Sequence, residues 1–389
     1  MNNKSWFPIF LIYACGLAGT SALGMMGPLA VDIGGFFNVP AATVGLAIAG
    51  QLLPLAFAGL VMGWLIDRLG PRPLLLLGLF TMGGCSLANA WLDSFALLRG
   101  TLLLQGIALV AMMTSGQGLL MMFTAGRQQV QAMTLWSTVT PVGYALGLLA
   151  ASPFAGSEDW QRAFTWHSGI TLALLVTAPW LPALRAGSSG GGLWTVVRNS
   201  RVVRFGMSLS LSALAGIGSS AVGALYFNRV HGLELGTSAQ VMAVASVCGV
   251  VGSIVIGVLL NRGWPGNRLA MLILLTATLG AAAFYWPSDV LALAVAGAVL
   301  QQLCVGGFIA LVYSLLPRAL PEPGMAGFAA GLVGQITGIG AAFSAPLYFG
   351  VLDMNQWHYF VVISVVAWGC GYLLLPSERD ASAVAASNH

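Results

Sequence analysis

Three ionisable side chains stand inside long apolar runs of this sequence, and each is of a type that can do chemistry there. Asp32, if half-buried, could hold a proton near neutral pH and so switch charge between two states of the protein. Arg99 offers a fixed charge and forked donors that suit an anion, or a carboxylate such as Asp32 or Asp93. His167 is the side chain whose ordinary titration lies nearest neutrality. A plainer reading stands beside two of them: an interfacial helix-end charge for Asp32, and a packed or interfacial ring for His167. Around them is a neutral polar set, Gln51, Gln105, Tyr144, Gln301, Gln302 and Gln335. An amide facing hydrocarbon leaves its hydrogen-bonding groups unmet, so these side chains are expected to line a cavity or tie helix to helix.

The elements that must position them follow from composition. The chain has 389 residues, 58% hydrophobic and 7% charged, with a mean hydropathy of +0.88. A soluble domain carries roughly 25% charge, so this surface could not be hydrated in the ordinary way. A polytopic helical membrane protein is expected instead. Runs of about 20 apolar residues, the length that crosses a bilayer core, recur about twelve times. The spans read as 7–34, 42–66, 73–92, 95–123, 131–152, 163–184, 204–227, 239–260, 267–286, 289–316, 326–351 and 357–375. The stretch from Arg185 through Gly-Ser-rich residues to Arg204 reads as a flexible linker, so the expected organisation is a six-helix bundle over 1–184, a linker over 185–203 and a second bundle with a short tail over 204–389.

Lysine and arginine sort unevenly over the alternate loops. One side collects most of the 15 basic residues, including Lys4, Arg68, Arg72, Arg127, Arg201 and Arg318, while the other holds Arg99, Arg162 and Arg229. Basic loops stay in the cytoplasm, so both termini are expected there and the protein is expected in the inner (plasma) membrane. The basic residues form no stripe, which argues against nucleic acid. The cysteines, 15, 85, 248, 304 and 370, all fall in apolar runs with no CxxC pair and read as buried free thiols. Lys4 with the following apolar run mimics a secretory leader, but the run continues well past Cys15 and Tyr13 is bulky where a cleavage box wants a small residue.

The two halves echo each other. Gly63 to Asp67-Arg68 is matched by Gly257 to Asn261-Arg262 at an offset of 194, and Gly147 and Pro153 by Gly340 and Pro346 at an offset of 193. A duplicated six-helix unit is expected.

Gly63-Trp64-Leu65-Ile66-Asp67-Arg68-Leu69-Gly70-Pro71-Arg72-Pro73 resembles the signature between the second and third helices of the major facilitator superfamily, with Ile66 for the usual Ala and Pro71 for the first of two basic residues. Trp160-Gln-Arg162-Ala-Phe164 resembles a less specific pattern of the same family. The resemblance covers essentially the whole chain. It implies a cytoplasmic gate brace made by Gly63, Asp67, Arg68, Gly70 and Arg72, with the acid facing the eleventh helix and Arg127 as the basic residue at the end of the fourth. The alternative is that these are solvated loop charges that fix topology. Arg99 sits about one turn further out than the basic residue the family usually has in its fourth helix, and helix 6, which holds His167, is usually peripheral. The antiporter pattern Gly-x-x-x-Gly-Pro is broken, since Leu148 follows Gly147.

Other chemistries find little footing. The Met doublets at 25–26, 112–113 and 121–122 lack copper-binding spacing, Gly218-Ser219-Ser220 reads as a small-residue helix contact rather than a serine nucleophile, and no P-loop, HExxH or zinc pattern occurs. No cofactor or metal is expected, and the chain is not expected to be an enzyme. The reading is a monomeric secondary transporter for a small neutral, amphipathic or singly anionic solute, with protons as a candidate partner and Asp32 as the candidate coupling site. The alternatives are a drug or metabolite efflux proton antiporter, and a non-transporting receptor or polytopic enzyme.

Overall fold

A computed structural model of the chain describes residues 5–124, 128, 131–132, 135–136, 138–183, 197–286, 290–316, 326–354 and 356–376; residues 60, 63, 64, 67, 68, 121, 261 and 326–330 are described by backbone alone. The described residues form helices joined by short turns, with no strand among them. The helices are α1 (Trp6–Phe37), α2 (Ala41–Phe57), α3 (Gly59–Leu69), α4 (Pro71–Asn89), α5 (Phe95–Phe123), α6 (Val139–Ala151), α7 (Gln161–Ala173) continued by a 3-10 turn (Leu174–Trp180), α8 (Ser200–His231), α9 (Leu235–Asn261), α10 (Gly266–Tyr285), α11 (Leu291–Leu315), α12 (Ala326–Met354) and α13 (His358–Leu374). Seven of them are long and apolar enough to cross a bilayer alone. Of the rest, α2 with α3 makes the second expected span and α7 with its 3-10 turn the sixth, while α4, α6 and α13 correspond to the third, fifth and twelfth. The linker expected over 185–203 lies largely outside the described residues.

Local sequence explains the breaks. Pro54 in α2 lacks an N–H and crowds the preceding turn, and the helix bends one turn later at Ala58, whose N–H still donates to Pro54 O at 2.8 Å. Gly70 ends α3 and starts α4 in a single residue, at φ 83° and ψ 156°, a region open essentially to glycine alone. Pro71 then fills the first helical position, where no N–H is needed. Asn199 caps α8 by accepting from the N–H groups of Arg201 and Val202.

The halves are built alike. In the first, α1 packs on α6, α2 on α5, α4 on α5 and α7; in the second, α8 packs on α12, α9 on α11, α10 on α11 and α13. The repeated glycines have the same work in both. A Cβ on Gly147 would sit 2.0 Å from Ser21 O of α1, and one on Gly340 would sit 1.9 Å from Ser210 O of α8. The proline echo is looser, since Pro346 lies within α12 while Pro153 lies beyond the end of α6.

The start of α1 meets the end of the 3-10 turn through Phe7 and Trp180, and the start of α8 meets the end of α13 through Arg204, whose Nε donates to Leu374 O at 3.0 Å. Both contacts belong to one face of the bundle, here the terminal face; the opposite one is the distal face. Between the halves, α2 packs on α12, α6 on α9 and α1 on α8. Towards the distal face the buried core is continuous across the halves, running from Met25, Leu29, Val44 and Phe164 into Val222, Tyr226, Tyr348 and Phe360. Towards the terminal face it divides into one core around Ile9, Leu75, Met112 and Trp136 and another around Phe205, Leu269, Phe308 and Trp368.

The outer flanks are apolar, with Phe80, Val244 and Leu279 more than half exposed, and exposed tryptophans gather at both ends, Trp91 and Trp286 distally, Trp180 and Trp264 terminally. This is the surface of a protein solvated by lipid, banded with interfacial aromatics. Among the cysteines, 15, 85 and 304 are buried free thiols, whereas Cys248 is half-buried and Cys370 exposed, on flanks that an apolar residue can present to lipid.

Candidate functional site

The seam between the halves is apolar. At its centre is a cavity of about 10 Å³ lined by Leu23 and Gly27 of α1, Ile48 and Leu52 of α2, Tyr144 of α6, Ile217 and Ala221 of α8, and Ala345 of α12. That is room for about one water, so a solute is admitted only when the halves part. The close approaches explain why: a Cβ on Gly27 would lie 2.6 Å from Ala221 O, and one on Gly45 3.1 Å from Ala345 O. Of the expected site residues, Tyr144 is the one that reaches this cavity.

Four of the glutamines are bonded within the halves. In the first, Gln51 Nε2 donates to Gln105 Oε1 at 3.2 Å, and Gln105 Nε2 donates to Ser86 Oγ at 2.8 Å. Ser86 Oγ lies 2.8 Å from His167 Nδ1, and His167 Nε2 lies 2.9 Å from Ala18 O. A carbonyl only accepts, so Nε2 carries the hydrogen and, in the neutral ring, Nδ1 accepts from Ser86. One directional chain thus joins α2, α5, α4, α7 and α1. His167 is buried within it, as the packed-ring reading expects.

The second half holds a counterpart. Ser219 Oγ donates to Gln301 Oε1 at 2.6 Å and lies 2.6 Å from Tyr285 Oη. Gln301 Nε2 donates to Ser364 Oγ at 3.4 Å, and Ser364 Oγ lies 3.4 Å from Tyr348 Oη, which donates to Ala215 O. Gln302 Nε2 donates to Ser220 Oγ at 2.6 Å. Gln105 ties the fourth span to the second and third of its half, and Gln301 ties the tenth span to the seventh and twelfth. Ser86, Tyr285, Tyr348 and Ser364 carry no sequence mark of this role. Their signal emerges only when packing sets a hydroxyl opposite an amide.

The remaining candidates lie apart from the cavity. Gln335 is half-buried on α12 beside Gly59, and its Oε1 has no hydrogen-bond partner. Arg99 is exposed one turn into α5, and the ion pair present among the described residues is Arg162 with Asp159 at 3.3 Å, not Arg99 with Asp32 or Asp93. Asp32 is half-buried near the distal end of α1, and its Oδ2 accepts from Gly156 N–H at 2.9 Å. Gly156, at φ 76°, presents that amide from the turn after α6.

Of the gate motif, Gly63, Asp67 and Arg68 lie on the backbone of α3 with their surroundings outside the described residues, as is the whole of Arg127. Gly70 makes the turn described above. Arg72 is not a solvated loop charge: its Nη2 donates to Ala178 O at 2.8 Å, gripping the carbonyl end of the sixth span, where a cation is favoured.

Paired helical bundles with apolar flanks, aromatic bands and a shared cavity on the seam define a polytopic membrane protein of the two-bundle transporter type. The sequence match agrees: residues 9–345 match the family model for the Major Facilitator Superfamily, and the chain belongs to that superfamily, a family of transporters rather than enzymes. A segment of 176 residues, 40% of the chain, is 30% identical to "Uncharacterized MFS-type transporter Rv1250" of Mycobacterium tuberculosis (strain ATCC 25618 / H37Rv). The match spans 29% of that relative. The fold is similar to that of a bacterial homologue of the human lysosomal transporter Spinster, solved inward-facing and unoccupied, with a TM-score of 0.79 and 14% identity over 96% of this chain and 98% of that one. It is similar also to the nucleoside transporter NupG, with a TM-score of 0.77 and 13% identity over 95% and 100% of the two chains.

Proposed function

We propose that the chain is a secondary transporter that carries a small neutral, amphipathic or singly anionic solute by alternating access, with 1–184 and 204–389 as the rocking units. The observation that carries this reading is the seam: a cavity walled by apolar side chains from both halves, with Tyr144 as its polar member, while Gln51, Gln105, Gln301 and Gln302 are bonded inside each half. Such a site favours a compact apolar body with few hydrogen-bonding groups and penalises a polycation, whose charges would find no partner there. The terminal face is assigned to the cytoplasm from the basic loops, with the chain in the inner membrane, and the Gly63–Arg72 loop with Arg127 braces that face when it closes.

Proton coupling at Asp32 is the second reading. Its carboxylate is half-buried, and its hydrogen bond to Gly156 is one that protonation would weaken. The test is a thermal-shift screen of the purified protein against metabolites and drugs, followed by flux of the stabilising compounds into reconstituted vesicles. Saturable flux of neutral or singly anionic compounds is expected, and saturable binding with no flux would remove the transport reading. In the same vesicles Asp32→Asn is expected to abolish pH-driven accumulation while leaving counterflow intact; unchanged accumulation would remove Asp32 from the mechanism.

A further inference from the structure

We propose that Asp353 holds the distal gate shut by capping, from the second half, the first turn of α2 in the first. The proposal rests on the alternating-access reading and names a residue that sets the opening step of the cycle.

Three observations converge on it. Asp353 Oδ2 accepts from Ala42 N–H at 2.9 Å, a bond that crosses the seam. Secondly, α2 has no cap of its own: the residue before it is Pro40, with no side-chain acceptor and no side-chain cap hydrogen bond. The first N–H groups of a helix lack intrahelical partners and concentrate positive potential, so this terminus is left for an outside acceptor to satisfy. Thirdly, Asp353 lies in the last turn of its own helix, α12, where the dipole disfavours a carboxylate. On its own helix the acid is misplaced. Against α2 it meets the end of a dipole that attracts it, and only while the halves touch.

The neighbours fix the register. Ala345, Phe349 and Asp353 recur every fourth residue on α12, and Gly45 of α2 lets the backbones approach, a Cβ there falling 2.9 Å from Phe349 Cβ and 3.1 Å from Ala345 O. Arg229 at the distal end of α8 is nearby, but its Nη1 donates to Leu352 O at 3.3 Å, and no ion pair with Asp353 is present among the described residues. The carboxylate is thus committed to the backbone of the opposite half. When the halves part distally, the carboxylate and Ala42 N–H both pass to water and α2 starts uncapped.

The test uses the full-length protein in right-side-out vesicles, with Ile48→Cys on the seam as reporter, Cys248 and Cys370 replaced by Ser, and a membrane-impermeant maleimide added outside. Asp353→Ala is expected to raise the labelling rate about five-fold, within the range that loss of a helix cap shifts an equilibrium. Asp353→Asn retains an acceptor and is expected to stay near wild type, which separates a cap from an ion pair. Pro40→Asn, which gives α2 its own cap, is expected to raise labelling with Asp353 intact. It also keeps the test available if Asp353→Ala fails to fold. Equal rates for Asp353→Ala, Asp353→Asn and wild type, or no rise with Pro40→Asn, would overturn the latch. If the reporter in the otherwise wild-type protein is not labelled from outside and no flux is found, the alternating-access reading itself fails.

Discussion

Gln105 and Gln301 show how a single side chain binds a bundle from within. Each is buried, and each spends its amide on hydroxyls or amides of other helices in its own half. Their consequences on removal differ. Gln105→Leu leaves the Gln51 amide bonded at neither end, because Gln51 Oε1 already lacks a partner, whereas after Gln301→Leu both Ser219 and Ser364 keep a tyrosine neighbour. A buried polar group left unsatisfied costs about 1–3 kcal/mol, so Gln105→Leu is expected to lower unfolding stability by that order and by more than Gln301→Leu, as read in a thermal melt of the detergent-purified protein. Equal melts would show that Gln51 finds another partner. That the glutamines mattered was legible in the sequence, since an amide in an apolar run must be satisfied. Their partners were not, because a serine or threonine in a helix can bond back to its own preceding turn, as Thr20 does to Gly16 O and Ser220 to Gly216 O, and so announces no tertiary contact.

At the scale of the helix, lengths and breaks come from proline and glycine, and contacts from small residues at fixed places. The spans 95–123 and 326–351 anticipate α5 and α12 within a few residues, while the second expected span is two helices, because Pro54 disrupts the ladder that hydropathy alone reads as continuous. Gly147 and Gly340 make the duplication testable. Alanine at either place brings a methyl against a facing backbone carbonyl that has nowhere to retreat, and overpacking of this kind costs about 1–3 kcal/mol. Gly147→Ala and Gly340→Ala are therefore expected to lower the melting temperature to similar extents. Gly169→Ala, on an exposed face with nothing within 4 Å, is expected to leave it unchanged or raise it slightly. A harmless Gly147→Ala would mean that α1 and α6 have slack. Asp353 could be read only as a charge between spans, for its value depends on Ala42, 311 residues away in sequence.

Among the described residues the buried core is shared by the halves at the distal end and split into two clusters towards the terminal end, a pose set by which faces the halves share. Gly45→Leu tests this directly, since the added side chain must enter the space of Phe349 and the backbone of α12. It is expected to wedge the halves apart, raise outside labelling of the Ile48→Cys reporter and abolish flux; protection equal to wild type would show that the distal seam is looser than its packing implies. The two bundles and their repeat were legible from hydropathy and spacing. Which faces of the halves meet was not, because that depends on packing between residues far apart in sequence.

The hydrogen bonds traced above lie within one half or the other, that between Ala42 and Asp353 excepted. On the proposed cycle, what the halves exchange at the distal seam is chiefly oily area. Attraction of that kind weakens as water cools and strengthens with excluded salts such as sulfate. The resting balance of the joint should therefore answer to the thermometer and to the lyotropic series more than to membrane voltage, and chilling alone should loosen its grip.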